Sequence, residues 1–437
     1  MSSLSVLLPT WSTAVRPGAA ADRRARALAA LVDLPLPSEH EEAWRYSGIG
    51  DFRTEAFVPA PAPTEMGEVD ASDDPDWRKI VSADFPPSCV IELLDGRVIR
   101  IDQEPSAGAL RVIDQLAPDG DAESAAPAAT VSESALPESE LPDAFATFAI
   151  AAGPSSILID IPRGVVLTGP VLVLHRGGEQ GSASAAHLTI RAEANSEASV
   201  IEVYGSTGER AFCSVLTEVI VEQAARVRLV QIQDRPETTQ QVGNLRVRVE
   251  RDATFELFHA ATGSARARHR TDCVLAGRGA TGNMTALFFG GRHQTLDFRS
   301  FQLHDAPDTT SNLRFTGAVD DHARSVYSGL IRIEKEARGS NAFQTNRNLK
   351  LSPDAWADSV PNLEIENNDV RCSHATTVSP VDIDQLFYLG SRGVPPEVAE
   401  RLIVEGFFAD VLGTFPFAGI QAWLRGRVAE RLDETGR

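Results

Sequence analysis

A chain of 437 residues is longer than one core usually organises, so two or three structural units are expected. It is 43% hydrophobic and 23% charged, which is ordinary for a soluble globular protein, and its net charge is −20. That charge excludes nucleic acid and anionic lipid as main partners, because both need a basic face.

The only lysines are Lys79, Lys335 and Lys350, a compositional bias with no chemistry attached. Cys89, Cys213, Cys273 and Cys372 are spread along the chain with no CxxC pair, so a closed zinc site is not expected. Their low number fits free thiols in a reducing compartment. Residues 1–11 lack a basic start and have too short an apolar run for a signal peptide. No stretch reaches the roughly 18 apolar residues of a membrane span. A cytoplasmic protein without membrane contact is expected.

Residues 19–34 carry Ala, Leu and Arg at helical spacing and stop before Pro35. Residues 41–46 read as a short helix or turn, with Trp44 and Tyr46 exposed or clamped. Residues 59–75, rich in Pro, Ala and acid, read as irregular. The runs 89–94 and 97–101 flank Asp95-Gly96, which supplies the positive φ values of a two-residue hairpin turn. Residues 117–142, rich in Ala, Pro, Ser and acid, read as a flexible linker.

From about 157 to 378 short alternating runs dominate and helical periodicity is absent. Ala198, Ala225, Ala253 and Ala280 each precede such a run, at steps of 27, 28 and 27 residues. Ala323 and Ala337 stand 14 apart, half that interval. A repeat of this kind suggests stacked rungs of two strands, none able to fold alone. An antiparallel sandwich, whose turns also recur, stays open at this point.

From Val381 the period becomes helical. Asp382 or Asp384 can cap a helix containing Leu386, Phe387 and Leu389. Residues 390–393 break it, and Pro395-Pro396-Glu397 opens a second helix. There Val398, Leu402, Ile403, Phe407, Val411 and Leu412 recur at steps of three and four. Residues 420–432 read as a last amphipathic helix.

The richest chemistry lies in Val370-Arg371-Cys372-Ser373-His374. On a strand, Cys372 and His374 face the same side and can address one metal ion, sulfur species or partner surface. Spacing alone equally allows a buried thiol and a satisfied histidine. His259, His269, His293 and His304 lack HxxxH or HExxH spacing and read as core or surface. Asp160 and Asp297 with nearby acids allow a glycosidase pair, although aromatics for a sugar groove are only 6% of the chain. No G-x-S-x-G, P-loop or dinucleotide motif sits in its required context. Phe407, Phe408, Phe415 and Phe417 crowd one short stretch, as core stripe or as partner surface.

Three ordered segments carry a family resemblance. One is Gly329-Leu330-Ile331-Arg332-Ile333, after Val319-Asp320-Asp321-His322-Ala323. The second runs from Asn346-Arg347-Asn348-Leu349-Lys350-Leu351-Ser352 to Leu363-Glu364-Ile365. The third spans 369–376 and continues through Asp384-Gln385-Leu386-Phe387-Tyr388-Leu389-Gly390-Ser391-Arg392-Gly393 to Gly406-Phe407. Leu36-Pro37, His40-Glu41 and Trp44-Arg45-Tyr46 add a short N-terminal match. Together they resemble the SufB/SufD family of iron–sulfur cluster assembly scaffolds. SufB-like members usually carry a cysteine before the leucine where this chain has Asn348-Leu349, and Glu after the histidine. The Cys-Ser-His form is SufD-like, with Ala375 replacing the usual Gly.

The resemblance implies a mainly β protein: a right-handed parallel β-helix at 146–380, an N-terminal mixed region at 1–145 and a helical domain at 381–437. It implies pairing with a SufB-like paralogue through the β-helix, and docking of a SufC-like ABC ATPase. For the ATPase the expected contacts are Phe387, Tyr388, Arg392, Gly393, Phe407 and Phe408. A nascent iron–sulfur cluster is expected transiently at His374 and Cys372, shared with the paralogue. The isolated chain is expected to hold no cofactor and to act as scaffold, not enzyme. A reduced flavin in the complex and a homodimer in isolation stay open. The competing readings are a cluster-carrying SufB-like scaffold and a β-helix carbohydrate enzyme.

Overall fold

The computed structural model describes residues 3–9, 17–60, 75–117, 141–177, 180–205 and 210–434. Of the segments expected to be irregular (59–75) and a flexible linker (117–142), residues 61–74 and 118–140 lie outside the described residues, while Pro59 ends β1.

The chain alternates between two ten-stranded sheets. The first holds β1 (Val58–Pro59), β4 (Arg111–Asp114), β5 (Ser156–Ile161), β7 (Ser182–Ala192) and β9 (Phe212–Val221). It continues with β11 (Gln240–Val249), β13 (Arg266–Leu275), β15 (Thr295–His304), β17 (Arg324–Ile333) and β19 (Trp356–Ile365). The second holds β2 (Cys89–Leu94), β3 (Arg97–Gln103), β6 (Val171–Arg176), β8 (Glu197–Tyr204) and β10 (Arg226–Gln233). It ends with β12 (Thr254–Ala261), β14 (Thr281–Gly290), β16 (Thr310–Val319), β18 (Asn341–Lys350) and β20 (Arg371–Pro380). From β5 and β6 onward every neighbouring pair is parallel, giving a β-solenoid of about eight turns.

Strand alternation explains why this winds rather than folds flat. Val219, Val247 and Cys273 stand in register on three successive rungs and point into the lumen, while their neighbours point out. The corners repeat as well. Ala224, Asp252, Gly279 and Asp308 all adopt positive φ, and each bonds the corner of the next rung. At Gly279 a Cβ would lie 2.7 Å from Asp252 Oδ1, so a larger residue there would have to displace that carboxylate. The alanine repeat is partly in register: Ala225, Ala253 and Ala280 precede aligned strands. Ala198 is not the preceding member, because it lies opposite Val227, 29 residues on. Steps vary from 26 (Gln240 to Arg266) to 32 (Arg324 to Trp356), so a fixed period misplaces some positions.

Asp95 and Gly96 take φ of +49° and +82°, and β2 pairs antiparallel with β3 as expected. β2 also pairs in parallel with β6, and β4 runs antiparallel to β5. The hairpin therefore extends the solenoid sheet and closes its first end.

Helices cover the outer faces. Against the first sheet lie α1 (Ala19–Asp33) and α3 (Ala144–Ala152). Against the second lie α2 (Trp77–Ser82), α5 (Pro396–Leu412) and α6 (Ala418–Glu434), with α4 (Ile383–Ser391) beside α5. Sequence reading misses α3 because all nine residues are buried, so no polar face betrays a helical period. Its readable signal is Asp143, whose carboxylate accepts from the N–H groups of Phe145 and Ala146. On α5 the stripe differs from the expected one. Ala399, Val404, Phe408, Val411 and Leu412 are buried, while Val398 and Leu402 are exposed.

A buried ionic knot ties α1 to the first sheet. Glu218 accepts from Arg23 at 2.5 and 3.0 Å, from Arg246 at 2.8 Å and pairs with His187 at 3.0 Å. Burial alone would raise this carboxyl, but the hydrogen bonds from His187 and Arg23 override it and hold it at about 2. Glu218→Gln leaves two guanidinium groups without their counter-charge and should cost about 3–5 kcal/mol. Because the folded value is depressed, this stability is present above the usual carboxyl value and is lost as pH falls towards about 2. In denaturant titrations across pH, the gap between wild type and variant should be widest above pH ~4.5 and close towards pH ~2. A pH-independent gap would show the carboxylate charge to be irrelevant.

Candidate functional site

The two ends of the solenoid differ. The first is closed by the antiparallel strands β3 and β4, whereas the second ends in β19 and β20, ten residues each, each paired on one side only. Edge strands of this length are templates for pairing unless protected. Val360, Ile365 and Val378 are exposed along this edge.

Cys372 and His374 lie on β20. Their register partners on β18 are Ala342 and Gln344, both buried and lumen-facing, so the pair faces the lumen side of the last rung. The expectation of a shared face therefore holds. Cys372 is half-buried against Ile331, Ile333, Ala337 and Ala342, and burial pushes its thiol up. His374 is exposed, and its backbone is held in the β18–β20 ladder while its imidazole makes no hydrogen bond to the described residues. Iron accepts imidazole and thiolate, but no group of three or more His, Cys, Asp or Glu able to hold a metal occurs among the described residues. The rung thus brings one thiol and one imidazole to the same face.

The same strand runs into α4, capped by the Asp382 carboxylate on the N–H groups of Asp384 and Gln385. Phe387 and Tyr388 project from α4, 78% and 58% exposed, and the Arg392 guanidinium lies 5.4 Å from the Tyr388 ring. Gly393, at φ +85°, makes the turn towards α5. Ile383, Val398 and Leu402, which sequence reading did not select as surface, are exposed apolar residues on the same two helices. Phe407 is half-buried under Arg347, 5.2 Å from its guanidinium, at a cleft of about 600 Å³ between β18, β20, α4 and α5. Phe408 is a correction: it is fully buried and stacks on Phe289 at 5.9 Å, so it anchors α5 to the sheet and presents no surface.

The remaining candidates are structural. Asp160 is paired with Arg111 and Arg191, and Asp297 with Arg268 and Arg299 at 2.5 and 2.6 Å. β5 and β15 are five strand spacings apart, roughly 24 Å, far beyond the separation of a glycosidase pair. His259, His269 and His304 are buried in the lumen, and His293 stacks on His322 at a corner. Trp44 is buried beneath Arg268, 3.7 Å from its ring centre, while Tyr46 is exposed. No helix among the described residues is long and apolar enough to cross a membrane.

A family model described as SUF system FeS cluster assembly, SufBD core domain, matches residues 175–407, from β6 to the middle of α5. An iron–sulfur cluster assembly SufBD family protein of Mycobacterium tuberculosis is 31% identical over 301 residues, covering 67% of this chain and 75% of that protein. The iron–sulfur cluster assembly protein SufD of Escherichia coli is 28% identical over 285 residues, covering 64% and 67%. SufD of Bacillus subtilis is 30% identical over 267 residues, covering 60% and 61%. The match spans the solenoid, the bare edge and α4 alike. The chain belongs to the SufB/SufD family of iron–sulfur cluster assembly proteins.

Proposed function

We propose that this chain is a SufD-type scaffold subunit. It pairs with a SufB-like paralogue along the free edges of β19 and β20, and docks an ABC-type ATPase on the α4–α5 surface. His374, with Cys372 beside it, offers a ligand to iron of a cluster assembled at the joint rung. The observation that carries the reading is the pair of lumen-facing ligands on an unprotected edge strand. A cluster in transit needs a site that one chain leaves incomplete, since a closed ligand set would retain it. The SufD-type role is favoured over a SufB-like one by Asn348, which occupies the position where SufB-like members usually carry a cysteine.

Co-expression with the ATPase and a SufB-like chain tests this. A stable three-component complex with iron and sulfide is expected, while the chain alone hydrolyses no ATP and carries no stoichiometric iron. Iron and sulfide held at full occupancy by the isolated chain would favour the cluster-carrying reading instead.

A further inference from the structure

We propose that the lumen immediately behind Cys372 and His374 is a binding floor for a small sulfur anion, hydrosulfide or the terminal sulfur of a persulfide. The ligands are the side-chain amides of Gln344, Asn346 and Asn348. The proposal rests on the assembly role above and adds a site for its sulfur.

β18 lies directly behind the terminal strand. Gln344 stands opposite His374, Asn346 opposite Thr376 and Asn348 opposite Val378. All three amides are lumen-facing and 0–2% exposed. On the rung behind, the aligned positions are Leu313, Phe315 and Gly317, so the polar row begins at β18; Glu202, Gln231 and Gln233 are polar lumen residues further back in the same sheet. Within the row, Asn348 Nδ2 donates to Asn346 Oδ1. Both amide atoms of Gln344, Asn346 Nδ2 and Asn348 Oδ1 have no partner. Buried amides left unpaired are destabilising, so such a row calls for an occupant.

The inner side of the row is filled. The Gln344 amide reaches across the lumen to Gly329, where a Cβ would lie only 2.4 Å from Nε2. Beneath it, Phe315 and Tyr327 pack at 4.3 Å, and the Tyr327 hydroxyl is paired with Ser300 at 3.0 Å. The floor is therefore backed on the inner side by paired and packed groups, and its other neighbour is the His374 rung.

Charge selects its sign. Lumen-facing side chains at 342–348, 372–378, 327–331 and 359–363 include no carboxylate. On β18 itself a metal cation would find only neutral amides, its donors being Cys372 and His374 one strand further out. An anion finds unpaired N–H donors on Gln344 and Asn346, and the S–H of hydrosulfide can donate to Gln344 Oε1 or Asn348 Oδ1. Neutral donors hold an anion loosely, as a sulfur passed on to iron requires.

The test uses the full chain, anaerobically, with its Gln and Asn side-chain amides labelled with nitrogen-15. Sodium hydrosulfide is titrated against sodium chloride at equal ionic strength. Saturable shifts of the Gln344, Asn346 and Asn348 signals are expected with hydrosulfide, weakened at least tenfold in Gln344→Leu. That variant replaces an unpaired amide with an apolar group of similar size and should retain the wild-type melting temperature. No shift, or equal shifts with chloride, would overturn the proposal and leave the floor to water. The readout needs neither partner nor cluster, so failure of the assembly reading would not by itself produce a negative result.

Discussion

Replacing Phe387 and Leu402 together by aspartate is expected to abolish capture of the ATPase subunit while leaving the melting temperature unchanged. α4 has no buried residue, and Ile383, Phe387 and Tyr388 are 77%, 78% and 58% exposed. Val398 and Leu402 of the adjoining α5 are exposed too, and that much apolar surface on one helix pair marks an interaction site. Large apolar anchors at the centre of an interface each contribute about 2 kcal/mol or more. Losing two of them and burying two charges should weaken binding more than a hundredfold. The substituted side chains are exposed, so folding has little at stake. Removing 397–437 is a poorer test than it seems from sequence. α5 and α6 cover Ile232, Leu287 and Phe289 of the second sheet, and their loss would uncover that core. Phe408→Ala is the useful control: its ring is buried on Phe289, and the change should cost about 3–5 kcal/mol of stability. A double variant that still captures the ATPase in a pull-down would remove α4 from the docking surface.

The solenoid was legible because its rungs cannot hide their alternation. Val200, Val227 and Phe255 belong to runs whose side chains alternate between the lumen cluster and the outer face. The period was legible only approximately, since rungs stretch from 26 to 32 residues as corners lengthen. The hairpin at Asp95-Gly96 was readable from turn chemistry, but its membership in the solenoid sheet was not. Parallel pairing of Cys89 with Val171 spans more than 80 residues and leaves no local trace. α3 was hidden by being apolar on every side. At the site, Cys372 and His374 were readable as a same-face pair. Which side they face depends on Ala342 and Gln344, a register no spacing reveals. The amide row Gln344, Asn346, Asn348 was visible as letters, and its signal was polarity at three successive inward positions. Phe408 was misread because helical spacing gives a stripe but not the angle at which the helix meets the sheet.

The most direct measurement of the central claim is the iron and sulfide content of the co-expressed complex carrying His374→Ala. The His374 imidazole is exposed and makes no hydrogen bond to the described residues, so its truncation should change stability by less than about 0.5 kcal/mol. Cys372→Ser should be milder for assembly, because its half-buried thiol is pushed up by burial and the paralogue is expected to supply the main thiolate. The account predicts that the His374→Ala complex keeps all three components and the wild-type melting temperature, yet is depleted in both iron and sulfide. Normal cluster content, or a marked fall in melting temperature, would contradict it and return His374 to a structural role.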